Sequence, residues 1–374
     1  MYLWCCLSNC YPVCLGYLRC ESKEGNKIPT ITIDTFFACS LVVSVAVLAT
    51  AFLAGTIQTQ INSDQDLNKC NYLQAIAEHI VTGTGSPAEW GSEGVNPTFF
   101  GLASSDSSCP YALDIDKLSR LSSENLYALT YLELSKSARL TNLAFGVSLN
   151  QMLNIDIVLS GNSSAGSFIN YTFTVSVSHE AESVQANLKG YLVTRDFVGS
   201  ASNSTSTSGV GYLTIGVPLT SNGAALLVVF ARASFDERIT AYGIYSFGHL
   251  AADPQPNHTF LGQSPLNYSL TVSKNYPTVT LSNSISLSYS YASNLTSASS
   301  TSYMVPEFLD RSPIVLVTLG TNGTESFAEW TSYPQLPQDV GADFSNAEKN
   351  LFVYHVLVKG ALYKLTLCFG DVPK

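Results

Sequence analysis

Charge is what this sequence has least of. Of 374 residues, 18 are Lys or Arg and 28 are Asp or Glu, so charged residues make up 12%, about half the ~25% of an ordinary soluble protein. With so few basic residues and a net charge of −10, the chain is not expected to bind nucleic acid, whose affinity for proteins comes mainly from Lys and Arg. Apolar residues at 46% exclude intrinsic disorder, because a chain this apolar can bury a large core. Enzyme signatures are also missing: the sequence contains no G-x-S-x-G, no P-loop, no G-x-G-x-x-G and no H-E-x-x-H. Its five histidines (His79, His179, His249, His258 and His355) are scattered. His179-Glu180 follows a strand-like run and reads as a solvated turn. The acidic pairs Asp64/Asp66 and Asp114/Asp116 have the spacing to seed a calcium site. The preferred roles are a polar cuff beside a membrane and a helix N-terminus, where carboxylates favour the dipole. The expectation is a protein that is not an enzyme and carries no cofactor.

The charge is missing most completely from residues 35–63, which hold no Asp, Glu, Lys or Arg. Residues 36–57 are almost continuously apolar, and a helix rising ~1.5 Å per residue would cross the ~30 Å hydrocarbon layer. A buried core helix of this length would keep a polar face, and a secretory signal would start earlier and be shorter. Arg19, Lys23 and Lys27 precede the run, whereas Asp64 and Asp66 follow it with no basic residue until Lys69. The positive-inside rule therefore predicts a single-pass protein of the cell membrane, embedded in the bilayer, with a cytoplasmic N-terminus and an extracellular C-terminal part. Residues 224–231 are strongly apolar but too short to cross, and read as a core strand.

Cysteines and sequons fit that topology. Cys5, Cys6, Cys10, Cys14 and Cys20 crowd the tail and Cys39 lies in the span. The tail lacks paired C-x-x-C spacing and a nearby His, so a reduced tail is expected rather than a metal site; acylation near the membrane is another use for such residues. Outside, Cys70 and Cys109 could bridge and close a loop of ~40 residues, worth about 3–4 kcal/mol. Cys368 is left over and could partner either. Glycosylation sequons stand at Asn162, Asn170, Asn203, Asn257, Asn267, Asn294 and Asn322, all on the expected outer side and mostly in turn-like stretches. Pro97 disqualifies Asn96.

Beyond the span, Leu73, Ile76, Ala77 and Ile80 keep helical spacing until Gly83-Thr84-Gly85 stops the helix. Two short helices are predicted at 114–121 and 131–140, the second opened by Thr130 with Glu133 in capping-box spacing. From about residue 145 the period changes to two, at 171–177, 190–194, 212–215 and 285–291. Further strand-like runs lie at 225–230, 239–247, 314–319, 351–358 and 363–369. Regular strands without intervening helices predict an antiparallel, immunoglobulin-like β-sandwich head, with one or two sandwiches. The fold class is thus mainly β, with an N-terminal transmembrane and stalk helix and a small α-rich linker. The expected parts are a tail at 1–34, a span at 35–57 and a stalk at 58–82. They continue as loop and short helices at 83–144, a sandwich at 145–250, and a second β-rich domain or continuation at 251–374. Trp330 alternates with polar neighbours in 327–334 and is expected to pack in the core; exposed, it would mark a ligand contact.

The tail with Lys23-Glu24-Gly25, the stretch Ile28-Pro29-Thr30-Ile31-Thr32-Ile33-Asp34, an apolar helix running into a stalk and then a β-rich head form a recognisable layout. Together with Ala75-Ile76-Ala77-Glu78, Gly85-Ser86-Pro87-Ala88-Glu89-Trp90-Gly91, Phe100-Gly101-Leu102-Ala103 and Leu113-Asp114-Ile115-Asp116-Lys117-Leu118, it resembles archaeal type IV pilin-like surface proteins over residues 23–150. The resemblance implies leader removal after Gly25, with other pilin-like subunits or surface-layer proteins as partners and a role in assembly or adhesion. Two positions depart from the family pattern: Asn26-Lys27 follows the cleavage point, and Thr30 stands where a Glu is usual. A permanently anchored, envelope-associated binding protein is the alternative, and an anchored extracellular hydrolase is the third reading.

Overall fold

The computed structural model describes residues 33–140, 143–336, 340–342 and 349–371. The chain divides into two units, residues 1–67 and 68–374. Helix α1 (Ile33–Thr82) runs for 50 residues. Its segment Phe36–Thr56 has a mean hydropathy of 2.4, is wholly unburied, and is long and apolar enough to cross a membrane.

In the second unit, Leu73, Ala77, Ile80 and Val81 line one side of α1 and are buried. They join a core with Trp90, Phe100, Leu102 and Leu118. The helix ends as the Gly83 amide donates to the His79 carbonyl at 2.8 Å. Gly101 passes so close that a Cβ there would lie 2.4 Å from the Gly83 oxygen, which explains the glycine. Strand β1 (Ala112–Leu113) leads into α2 (Ile115–Ser119), opened by Asp114, whose carboxylate accepts the amides of Asp116 and Lys117 at 2.9 and 3.0 Å. Helix α3 (Tyr131–Ala138) starts with the capping box that the sequence spells out. The Thr130 hydroxyl accepts the Glu133 amide, and the Glu133 carboxylate accepts the Thr130 amide.

The rest is β-structure. Strands β2 (Leu143–Gln151), β3 (Asn154–Ala165), β4 (Phe168–His179), β5 (Glu182–Ser183) and β6 (Ala186–Thr194) come first. Next are β7 (Phe197–Ser204), β8 (Val210–Pro218), β9 (Gly223–Ala233) and β10 (Thr240–His249). After a loop follow β11 (Leu261–Leu266), β12 (Ser269–Lys274), β13 (Val279–Leu287), β14 (Ala292–Asn294), β15 (Thr296–Ser297) and β16 (Ser302–Met304). The last are β17 (Ile314–Asn322), β18 (Glu325–Tyr333), β19 (Val340–Gly341), β20 (Lys349–Val358) and β21 (Ala361–Asp371).

These strands build several antiparallel sheets. One sheet carries β3 and β8 on either side of β4, with β5 at its tip, and a second runs β10-β9-β6-β7. Phe173, Val175 and Ile215 of the first pack on Leu188, Leu227 and Val229 of the second to form a sandwich core. The other face of the second sheet is also covered. Tyr191, Leu226, Val228 and Phe230 meet Ile285, Val315, Val317 and Leu319 of a third sheet, β14-β13-β17-β18. Strand β9 is therefore buried on both faces, which is why residues 224–231 carry no alternation. The third sheet turns Ile314, Leu316 and Phe327 toward the core that also takes the end of α1. Two further sheets, β11-β12-β16-β15 and β1-β20-β21-β2-β19, close that core. Among the described residues only β1 on β20 is parallel, and β2 pairs along its length with β21, so residues 143–151 lie beside strand β21.

Three expectations change. The run 285–291 stays in the sheet only to Leu287. Ser312 Oγ and Asp310 Oδ2 take the amides of Tyr289 and Ser290 at 3.1 and 2.9 Å, and the chain turns there. The Ser-, Gly- and Asn-rich stretches 160–165 and 199–204 are strand, not turn, because β4 and β6 supply their pairing. The Cys70–Cys109 bridge is not formed: both thiols stand exposed, Cys70 on α1 and Cys109 in the turn before β1.

Two carboxyls make stability depend on pH: Glu329 ties β18 to the start of β11, and Asp116 ties α2 to β18 and the β11–β12 turn. Glu329 is buried and accepts the amides of Phe260 and Leu261 at 2.7 and 2.8 Å. Asp116 accepts the Tyr333 hydroxyl at 2.7 Å and the Asn267 amide at 2.8 Å. Burial raises both above ordinary carboxyl values despite these hydrogen bonds. A raised folded value gives stability that is complete below the unfolded pKa and lost as pH climbs through the folded one. Exposed Glu133, Glu180, Asp236 and Glu307 work oppositely. Bonds from Thr130, Lys364, Arg238 and Lys359 lower them, so their contribution is lost as pH falls. The thermal midpoint should therefore pass through an optimum, falling toward acid as the carboxyls with lowered values protonate and falling toward higher pH as Glu329 and Asp116 ionise. Glu329→Gln should flatten the alkaline decline in a pH series of melting curves, and a slope unchanged in that variant would refute the assignment.

Candidate functional site

A groove of about 570 Å³ opens where β10, β18 and the loop after β10 converge. Two amide side chains fix its aromatic walls. Asn257 donates from Nδ2 to the Trp330 carbonyl at 3.0 Å and accepts the Trp330 amide on Oδ1 at 2.8 Å. Gln151, at the end of β2, does the same to Tyr242, donating at 3.3 Å and accepting at 2.6 Å. Each amide thus stands in for a missing strand partner, and both aromatic residues are held by main-chain bonds. The rings of Tyr242 and Trp330 meet edge to face, 6.0 Å apart at 77°. Burial pushes the Tyr242 phenol up to about 12. Trp330 is half-buried, packed on the third-sheet core on one side and lining the groove on the other. The expectation of core packing thus describes only one side of this residue.

Gln335 and Trp330 of the lining each have a polar side-chain atom without a partner among the described residues, and the one on Gln335 is shut off from solvent. Gln335 is buried and donates from Nε2 to the Gln263 carbonyl and the Thr331 hydroxyl at 2.8 and 3.1 Å, while its Oε1 has no partner. The indole Nε1 of Trp330 has no hydrogen-bond partner among the described residues. At the rim Glu124 faces His258, 3.6 Å apart. Among the described residues no Lys or Arg lines the groove.

The other candidate residues do not converge. Asp114 is spent as the cap of α2 and Asp116 on Tyr333 and Asn267; both line a separate cavity of about 500 Å³ that also holds Tyr268 and Lys359. Among the described residues no three His, Cys, Asp or Glu side chains gather as a metal site. The side chains of Asp64 and Asp66 lie outside the described residues. His179 donates to the Met152 carbonyl at 2.6 Å, and its neighbour Glu180 pairs with Lys364 at 2.6 Å. Glu180 and Ala181, at φ 47° and 76°, make the turn between β4 and β5. His249 is wholly buried; its Nε2 meets the Pro218 carbonyl at 3.0 Å and its Nδ1 the Tyr171 hydroxyl at 2.9 Å. Since a carbonyl only accepts, Nε2 carries the proton and Nδ1 accepts from tyrosine.

Of the sequons, Asn162, Asn170, Asn203, Asn294 and Asn322 sit on strands, and Asn267 is in the β11–β12 turn at φ 49°. The expectation of mostly turn-like positions is corrected accordingly. Asn257 is the sequon engaged in the groove. Gly25 and the tail cysteines lie outside the described residues. Sequence reasoning singled out Trp330 but missed Gln151, Tyr242 and Gln335, which nothing in their local sequence marks.

No protein-family profile matches the chain. No curated protein matches it in sequence. Solved structures with some likeness include HBP35 of Porphyromonas gingivalis, at TM-score 0.20 and 10% identity, over 48% of this chain and 63% of that one. The likeness therefore spans less than two thirds of that protein and, at this score, assigns neither fold nor function.

Proposed function

We propose that the chain is a non-enzymatic cell-surface protein, held in the membrane by the first part of α1, with a β-rich head that makes the contacts of adhesion or assembly. Its layout is that of a pilin-like subunit. One observation carries the reading. The large apolar side chains between Phe36 and Leu53 are exposed by 57% to 74%, each forgoing roughly 1.5–3 kcal/mol of burial. A bilayer, or a filament core of like helices, is the environment that covers such a surface. The residues from 68 onward have extensive cores of their own, as an external head requires.

The test has two parts. The chain should stay with membranes through an alkaline carbonate wash, and protease added to intact cells should digest residues beyond α1. Release by carbonate, or full protection of the head in intact cells, overturns the anchored-surface reading. Mass spectrometry of the mature N-terminus decides the filament role. A start at Asn26 is the expected result, and an intact tail overturns pilin-type processing in favour of a permanently anchored envelope protein.

A further inference from the structure

We propose that the Trp330–Tyr242 groove is a binding site for a neutral carbohydrate. The proposal deepens the reading of the head as the contact-making part of a surface protein and rests on it. The lining chooses among ligand classes. With Glu124 at the rim, His258 already facing it, and no Lys or Arg in the lining among the described residues, a phosphate, sulfate or carboxylate would find no permanent cation and would meet the Glu124 carboxylate. A wholly apolar ligand would cover the indole N–H of Trp330, which has no partner among the described residues, and leave it unsatisfied.

A sugar answers both kinds of surface. Its C–H face packs on the aromatic walls, and its hydroxyls donate to Glu124 while accepting from the indole N–H. The Thr331 hydroxyl accepts from Gln335 and keeps its own proton to donate. A volume of about 570 Å³ falls in the range of small-molecule sites. The double amide bonds from Asn257 and Gln151 hold both aromatic residues in place before any ligand arrives, which lowers the ordering cost of binding.

The test uses the full chain in lipid nanodiscs and isothermal titration. The probes are methyl glycosides and disaccharides of glucose, galactose, mannose and N-acetylglucosamine, with sialylated and sulfated sugars as controls. At least one neutral sugar should bind and the anionic ones should not. Trp330→Phe keeps a packed ring but removes the N–H, and should weaken binding about tenfold, the worth of one such hydrogen bond. Glu124→Gln, at an exposed position, should weaken it several-fold without moving the melting temperature. Absence of binding by every neutral sugar, binding of anionic sugars only, or affinities unchanged in both variants would each overturn the proposal. The two readings fail separately. A protein shaved from cells by protease that binds no sugar loses only this site, and one that binds sugar but resists shaving loses only the surface assignment.

Discussion

Arg120→Ala should cost the head about 4–5 kcal/mol, as an uncompensated set of buried carbonyls. Arg120 is almost wholly buried at the end of α2, with no carboxylate bonded to it among the described residues. Its guanidinium instead donates to the carbonyls of Tyr127 at 3.1 Å and Ser92 at 2.9 Å, to those of Trp90 and Val95, and to Asn96 Oδ1 at 3.2 Å. The loop 90–96 has no sheet or helix of its own, so this one side chain takes up much of its backbone hydrogen bonding. Burial lowers the Arg120 pKa, but an Arg titrates so high that it remains charged at any working pH. Lysine should rescue poorly, because a compact ammonium with three donors does not reproduce the planar fork. Urea unfolding of the full chain in nanodiscs, followed by the fluorescence of buried Trp90, gives the number. Limited proteolysis should also find new cuts within 90–96. A loss below about 1 kcal/mol would show that water replaces the guanidinium and that the clamp is dispensable.

Phe230→Ala should be nearly as damaging, at about 3–5 kcal/mol. Phe230 is fully buried on β9, between Tyr191 and Tyr242, whose rings lie 6.2 and 6.5 Å away. It faces the third sheet, while its neighbours Val229 and Ala231 face the sandwich. A cavity there cannot collapse, since two sheets hold β9 from both sides and its backbone pairs with β6 and β10. Phe235 provides the control. Five residues later it is 73% exposed, and Phe235→Ala should change stability by no more than about 0.5 kcal/mol. Equal losses in the two variants would overturn the three-layer arrangement around β9. The Phe230 variant should also disturb the groove, because Tyr242 packs on Phe230 and then on Trp330.

What the sequence by itself determined rests on neighbours along the chain. Hydropathy marks Phe36–Thr56, because a helix exposes whatever its own residues carry. Thr130 and Glu133 announce the start of α3, because a capping box is closed by residues three apart. Alternation locates β4 and β8, because each is buried on one face more than the other. The mainly β class followed from these runs.

Tertiary structure decided the rest, because pairing across long separations leaves no local trace. The polar halves of β3 and β7 are strand only because β4 and β6 offer them hydrogen bonds. The spacing of Cys70 and Cys109 permits a bridge, but the fold leaves the two thiols exposed and unbridged. The apolar run of β9 reveals burial, but not that a sheet lies on each face. The groove is the extreme case. Gln151, Tyr242, Asn257, Trp330 and Gln335 come from four parts of the chain. Only the packing of the second and third sheets, with β2 alongside, brings two clamped aromatic residues to a buried amide with an acceptor to spare.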